Sequence, residues 1–227
     1  MSRIDIHKTY KLYIGGRFPR TESGRYFSLK DPQGNTLSNL CLASRKDFRN
    51  AVVAARKAQT SWANMTALNK GQILYRIAEM LESRKDQFIK EMIAMGIENK
   101  MAIKDVKAAI DRLVYYAGWS DKYQQFFSTV NPVSSPHFNF SVPEPMGVIS
   151  AIAPENQGLL GLISILAPLV VGGNTSVVLA GQNLAMTAIS FAEVLHSSDV
   201  PPGVINILTG DKKELIPHMA SHMDVNA

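Results

Sequence analysis

Gly147-Val-Ile-Ser-Ala-Ile-Ala-Pro154, Thr175-Ser-Val-Val-Leu-Ala180 and Val204-Ile-Asn-Ile-Leu-Thr-Gly210 are three short runs rich in β-branched residues. They begin near Val148, Ser176 and Val204, about 28 residues apart, with a helix-sized segment in each gap. That spacing predicts consecutive βαβ units and therefore a parallel sheet. The first gap, Gly158 to Val171, is apolar almost all round, so a helix there needs cover on both faces. Gly172-Gly173-Asn174 ends it with residues that tolerate a left-handed backbone. The second gap predicts a helix from Asn183, a candidate cap, to His196, with Met186, Ile189, Phe191 and Val194 on its inner face. Ser198-Asp-Val-Pro-Pro-Gly203 is a rigid turn into the third strand. A fourth strand is expected to start at Asp224-Val225, close to the last residue, Ala227. A sheet that announces a further strand there is expected to be a fragment, or one half of something larger.

Working outward, Tyr10 to Ile14, Tyr26 to Lys30 and Thr36 to Leu42 alternate in polarity around the turns Gly15-Gly16 and Asp31-Pro-Gln-Gly-Asn35, which predicts antiparallel arms. Ser44-Arg-Lys-Asp47 is a capping-box variant with Asp in place of Glu. It opens a helix with Phe48, Ala51, Val52, Ala55, Ala58 and Trp62 on its apolar face. Two further helices are expected over Asn69–Met95 and Lys100–Phe126. The breaker cluster Asn131-Pro-Val-Ser-Ser-Pro136 reads as the chain's linker. Phe138 to Val142, interrupted by Pro143-Glu-Pro145, reads as an exposed arm or an edge strand feeding the sheet.

The 227 residues are 46% apolar, enough for a packed core, with a formal net charge of +5. The charge is unevenly spread: residues 1–137 carry 22 Lys+Arg against 12 Asp+Glu, and residues 138–227 carry only Lys212 and Lys213 against seven acids. The basic pairs Arg45/Lys46, Arg56/Lys57 and Arg84/Lys85 sit on helices, with acids such as Asp47, Glu82 and Asp86 close by. That is the pattern of solvated helix faces and not of a nucleic-acid surface. The longest apolar run, Leu159–Val171, contains Pro168 and falls well short of the roughly 20 residues that cross a bilayer. Met1 to Lys8 mixes charges without an apolar core, unlike a secretory leader. One cysteine, Cys41, excludes an internal disulfide framework and suggests a reducing, cytoplasmic setting.

The ordered set Tyr13-Ile-Gly-Gly, Ala55 to Trp62 with Ile73-Leu-Tyr-Arg-Ile-Ala, Arg112-Leu-Val-Tyr-Tyr-Ala-Gly, Glu144-Pro-Met-Gly-Val-Ile, Ala167-Pro, Gly173-Asn-Thr, Pro201-Pro-Gly-Val-Ile-Asn and His222-Met-Asp-Val resembles the N-terminal, cofactor-binding half of the aldehyde dehydrogenase superfamily. The resemblance covers nearly the whole chain. It implies an α/β fold with a partial, Rossmann-like parallel sheet flanked by helices, plus antiparallel arms that in the family belong to an oligomerisation region. Residues 1–137 are then arm strands and basic helices packed on the sheet, and 138–227 an arm strand and incomplete βα units of the cofactor domain, one structural domain in all. The cofactor implied is NAD or NADP, with Ile152, Ala153, Pro154, Glu155, Ala180 and Gly210 at the strand ends that would meet it. Asn156 stands where the family places an oxyanion donor.

The departures from the pattern matter as much. The family's Pro-Trp-Asn is Pro154-Glu155-Asn156 here, and an acid there repels a pyrophosphate or a reacting oxyanion if it points inward. The family's ribose-binding Lys at the end of the second strand is replaced in Ala180-Gly-Gln-Asn183, losing a charge-assisted hydrogen bond of about 1.5–3 kcal/mol. Asp211-Lys-Lys-Glu214 follows Gly210 where small residues let a helix approach the cofactor. The family's general-base Glu and nucleophilic Cys have no counterpart, and Cys41, at an arm's end, reads as a structural thiol. These sites look like those of the second, inactive module of tandem aldehyde dehydrogenases.

The other constellations are weaker. His218 and His222 share i, i+4 spacing, but Met219 replaces the Glu of the zinc-protease motif, so no metal is expected. No glycine-rich phosphate loop is present, and Tyr115, Tyr116 and Trp119 read as helix packing. The expected function is a non-catalytic, structural or assembly role for a cofactor-domain fragment. The alternatives are the first half of an NAD(P)-dependent aldehyde oxidoreductase whose Cys and Glu lie downstream, and a stand-alone binding module using Phe138–Val142 as an edge. Self-association, or pairing with a catalytic half, is expected because three parallel strands leave two open edges.

Overall fold

The computed structural model describes residues 7–227, the side chain of residue 184 excepted; the charged stretch before residue 7 lies outside the described residues. An N-terminal arm carries β1 (Thr9–Tyr10), β2 (Tyr26–Lys30) and β3 (Thr36–Cys41). Five helices follow: α1 (Arg45–Ala63), α2 (Ala67–Ser83), α3 (Lys85–Ala94), α4 (Asn99–Trp119) and the short α5 (Tyr123–Phe127). A hairpin of β4 (Thr129–Asn131) and β5 (Asn139–Ser141) leads to β6 (Val148–Ile152), α6 (Gly158–Val171), β7 (Thr175–Ala180), α7 (Ala185–His196), β8 (Ile205–Thr209) and α8 (Lys212–Ser221).

The three strands read from the β-branched runs form a parallel sheet in the order β6-β7-β8. Its register pairs Ile152 with Leu179 and Ala180 with Thr209. Because β7 is central and every one of its residues is buried, its side chains divide between two cores. Val178 and Ala180 join the core made with α4, α6 and α7, while Val177 and Leu179 join the one made with α1 and α8. Burial on both faces accounts for a strand without polar alternation.

The sheet's edges differ from expectation. Tyr13 pairs antiparallel with Ile207 on the outer side of β8, its N–H donating to the Ile207 carbonyl at 2.9 Å and its carbonyl accepting at 2.8 Å. On the outer side of β6, Asn226 N–H donates to the Val148 carbonyl at 2.8 Å and the Ala227 carbonyl accepts from Ser150 N–H at 2.7 Å. The residues read as the start of a fourth strand, Asp224-Val225, form no strand; they lie at a turn that brings Asn226 and Ala227 to the edge of β6, held by Arg56, whose Nη2 lies 2.6 Å from both the Asp224 carbonyl and Asn226 Oδ1. The chain's own backbone therefore meets both edges, and the picture of two open edges is corrected.

Four more expectations are revised. β1 runs parallel to β3, and only β2 pairs with β3 antiparallel. The helix expected over Asn69–Met95 breaks at Arg84 (φ −108°, ψ 8°). There the Arg84 guanidinium turns to Gln87 and to Glu193 of α7, at 2.8 Å from the latter. The linker Asn131–Pro136 is the turn side of the β4–β5 hairpin, with Val130 opposite Phe140. The helix expected from Asn183 begins two residues later, after a single 3-10 turn.

The capping box forms as read. Ser44 Oγ accepts from Asp47 N–H and the Asp47 carboxylate accepts from Ser44 N–H. Asp47 also takes hydrogen bonds from Thr21 Oγ1 at 2.6 Å and from Glu22 N–H at 3.1 Å, tying the arm to the helix. Helix α6 is held by neighbours at its C-terminal end. Trp62 Nε1 donates to the Val170 carbonyl at 3.0 Å, and Gln59 Nε2 to the Gly173 carbonyl at 3.2 Å, while Gln59 Oε1 accepts from Thr175 N–H at 3.0 Å. Gly173 adopts φ +82°, the left-handed exit its sequence allows.

Candidate functional site

In open α/β sheets, ligands lie in the crevice outside the carboxyl ends of the strands. Here that crevice is bounded by Ile152–Glu155 after β6, Ala180-Gly181-Gln182 after β7, and Gly210–Lys212 after β8. Ile152, Ala153, Pro154, Glu155, Ala180 and Gly210 all sit at these tips, joined by hydrogen bonds from Ala153 N–H to the Leu179 carbonyl at 2.9 Å and from Gln182 Nε2 to the Gly210 carbonyl at 3.4 Å. Ala180 is buried in the core, and its methyl side chain carries no hydrogen-bond donor.

Glu155 dominates this space. Its side chain lies over Gly181, where an added Cβ would stand 3.0 Å from Glu155 Cγ. Its carboxylate then pairs with Lys212 Nζ at 3.0 Å, at the start of α8. Because β7 lies between β6 and β8, this pair crosses the tips of all three strands. Gly210 is packed against Leu215 of α8, only 2.9 Å from where a Cβ would be. The void beneath, lined by Ala153, Pro154, Gly181 and Thr187, measures about 10 Å³, which admits one water at most. Thr187 Oγ1 is buried there without a hydrogen-bond partner.

Asn156 is not part of this cluster. It is exposed and faces a depression of about 290 Å³ shared with Met101, Lys104, Asp105, Ala108 and Leu160. Its neighbour Asp105 is the residue that sequence reasoning missed. From α4, Asp105 Oδ1 accepts from Leu160 N–H at 3.2 Å, and the carboxylate also takes a bond from Leu159 N–H, capping α6. Burial pushes the Asp105 carboxyl above its usual value, and these two amide bonds oppose the shift. Gly158 permits the approach: a Cβ there would fall 2.4 Å from Asp105 Oδ2. The available signal was a helix start, Gln157-Gly158, with no capping side chain of its own.

Cys41 is buried in the α1/α8 core, 4% exposed, and its carbonyl accepts from Thr209 Oγ1 at 2.6 Å. His218 lies on α8 and His222 just beyond it, where the His222 ring packs edge-on to Phe48 at 5.7 Å. Tyr115, Tyr116 and Trp119 line a shallow groove with Pro168, Val171 and Gly172 of the α6 end. No helix among the described residues is long and apolar enough to cross a membrane.

An open parallel sheet with helices on both faces and its crevice at the carboxyl tips defines the nucleotide-fold class of α/β proteins. Within that class the chain belongs to the aldehyde dehydrogenase family, whose sequence profile matches residues 19–227. It is 31% identical over 232 residues to the cytosolic 10-formyltetrahydrofolate dehydrogenase of Mus musculus, covering 99% of this chain and 26% of that one. It is 32% identical to the putative aldehyde dehydrogenase DhaS of Bacillus subtilis (strain 168), covering 97% of this chain and 45% of that one. A solved aldehyde dehydrogenase from Bacillus cereus, in its NAD+ complex, superposes with a TM-score of 0.91 at 26% identity, over 96% of this chain and 45% of that one. The chain thus spans less than half the length of these relatives. The family implies NAD or NADP, but the residues at the strand tips do not fit a dinucleotide, since the Glu155–Lys212 pair lies across them.

Proposed function

We propose that this chain is a cofactor-domain part of an aldehyde dehydrogenase-type protein that does not oxidise aldehydes by itself and serves structure and assembly. The observation that carries this reading is the burial of Cys41. The family's chemistry needs a nucleophilic thiol, the sequence contains a single cysteine, and that thiol is sealed in the core between α1 and α8. A nucleophile must reach its substrate and sit beside a base, and Cys41 is enclosed by Leu12, Phe48, Leu208 and Leu215 and other apolar side chains. The reduced, lone cysteine and the cytosolic relative support a cytoplasmic setting. The test is NADH formation by the purified chain from NAD and a simple aldehyde such as propanal. No turnover is expected; turnover that disappears in Cys41→Ser would overturn the reading.

A second reading is favoured by the coverage of the relatives. The chain is the first part of an NAD(P)-dependent aldehyde oxidoreductase, and a further segment supplies the thiol and the general base. Activity restored on adding such a catalytic segment would select this reading over the first. For assembly, the surface we favour is the β4–β5 hairpin. Val130, Phe138 and Phe140 are exposed there, Phe138 to 75%, and Phe126 and Phe127 extend the apolar patch. A patch of that kind on a hairpin marks a protein contact.

A further inference from the structure

Building on the reading of the chain as a cofactor-domain part, we infer that the Glu155–Lys212 pair is an intramolecular closure of the strand-tip crevice, which excludes nicotinamide dinucleotides by occupying their path. Three observations converge on it. Glu155 leaves the β6–α6 loop, lies against Gly181 at the tip of β7, and ends 3.0 Å from Lys212 beyond β8, so one side-chain pair reaches across the tips of all three strands. The charge is wrong as well as the volume, because the Glu155 carboxylate lies where a pyrophosphate would approach and already neutralises the nearest cation. Beside the pair, the void between the tips of β6 and β7 and helices α6 and α7 is about 10 Å³, and Thr187, which lines it, has a buried hydroxyl without a partner.

The part of the closure that reaches from Gly181 to Lys212 is side chain, although the Glu155 Cα also lies 3.3 Å from the Cβ position at Gly181. Glu155 and Lys212 keep 47% and 29% of their side-chain surface exposed. An ion pair this wet contributes little, and its charge alone shifts a competing equilibrium by about fivefold at most. Bulk across Gly181 is the larger barrier. Truncating both residues therefore opens the crevice, whereas neutralising Glu155 without shortening it barely does.

The experiment is isothermal titration of NAD and, separately, ADP-ribose into the full chain, Glu155→Gln, Glu155→Ala and Glu155→Ala/Lys212→Ala. Circular dichroism and the urea midpoint establish that each variant is folded; Glu155 is exposed and Lys212 half-buried, and the single variant serves if the double one unfolds. The expected result is no saturable heat with the native chain at millimolar ligand and a gain of about fivefold at most in Glu155→Gln. Saturable binding, at least about tenfold tighter than native, is expected on truncation. Micromolar binding by the native chain, a folded truncation no tighter than native, or a Glu155→Gln gain equal to the truncation's would each overturn the inference. The readout is binding and not turnover. A native chain that binds NAD without oxidising aldehyde overturns the closure and leaves the non-catalytic reading intact, while turnover overturns the non-catalytic reading on its own.

Discussion

Replacing Asp105 tests how the first βα unit is anchored. In Asp105→Ala the N–H groups of Leu159 and Leu160 lose their acceptor, and Leu159 is fully buried. A buried donor left unpaired costs about 1–3 kcal/mol, and loss of an ordinary helix cap about 0.5–2 kcal/mol. Leu160 is only half-buried and regains a water, which places the expected loss at roughly 1–2 kcal/mol. For a chain of this size that is about 2–8 °C in Tm, or a lower urea midpoint at unchanged slope. Asp105→Asn retains an acceptor oxygen, so its cost is smaller and depends on pH. Because burial raises the folded carboxyl above its unfolded value, Asp105 contributes its full stability below the unfolded value and loses it as pH rises through the raised one. Asp105→Asn should therefore improve relative to the native chain as pH climbs through and just above the carboxylate range, then level off. An Asp105→Ala chain as stable as native at neutral pH would refute the capping role. A native chain that loses ground to Asp105→Asn on acidification would refute the sign.

Two other outcomes follow from contacts elsewhere. Gln59→Leu strips partners from the Gly173 carbonyl and the Thr175 hydroxyl together, while Thr175 N–H keeps the Gly147 carbonyl at 3.1 Å, and should lower stability by about 1–3 kcal/mol in urea titration; an unchanged midpoint would mean that the α6 exit is held without Gln59. Phe138→Ser with Phe140→Ser should reduce self-association in light scattering without changing the melting curve, and equal masses for native and variant would remove the hairpin from the assembly surface.

The parallel sheet was legible because it is local: β-branched runs at βαβ spacing name β6, β7 and β8, and the Ser44-Asp47 box names the start of α1. What escaped was set by partners distant in sequence. Nothing within Asn69–Met95 marks the break at Arg84, because it serves an ion pair with Glu193 on α7. Alternation shows that Tyr10 and Tyr13 are extended but not that the first pairs parallel to β3 and the second covers the edge of β8. Glu155 and Asp211-Lys-Lys-Glu214 each stood out as departures from the family pattern. That the first of these meets Lys212 over Gly181 requires the register of three strands, which no local motif encodes. Asp105 carries no local signal of its role, because the uncapped start of α6 that it serves lies far along the chain.

The borrowed ends of α6 have one more consequence. Helix tips ordinarily fray, since their outermost amides and carbonyls face solvent unpaired. Here Asp105 closes one end and Trp62 with Gln59 the other, so the tips can open only if α4 or α1 moves as well. Amide exchange along α6 should then be as slow at its two extremities as at its middle, with the helix detaching as a unit together with the elements that grip it.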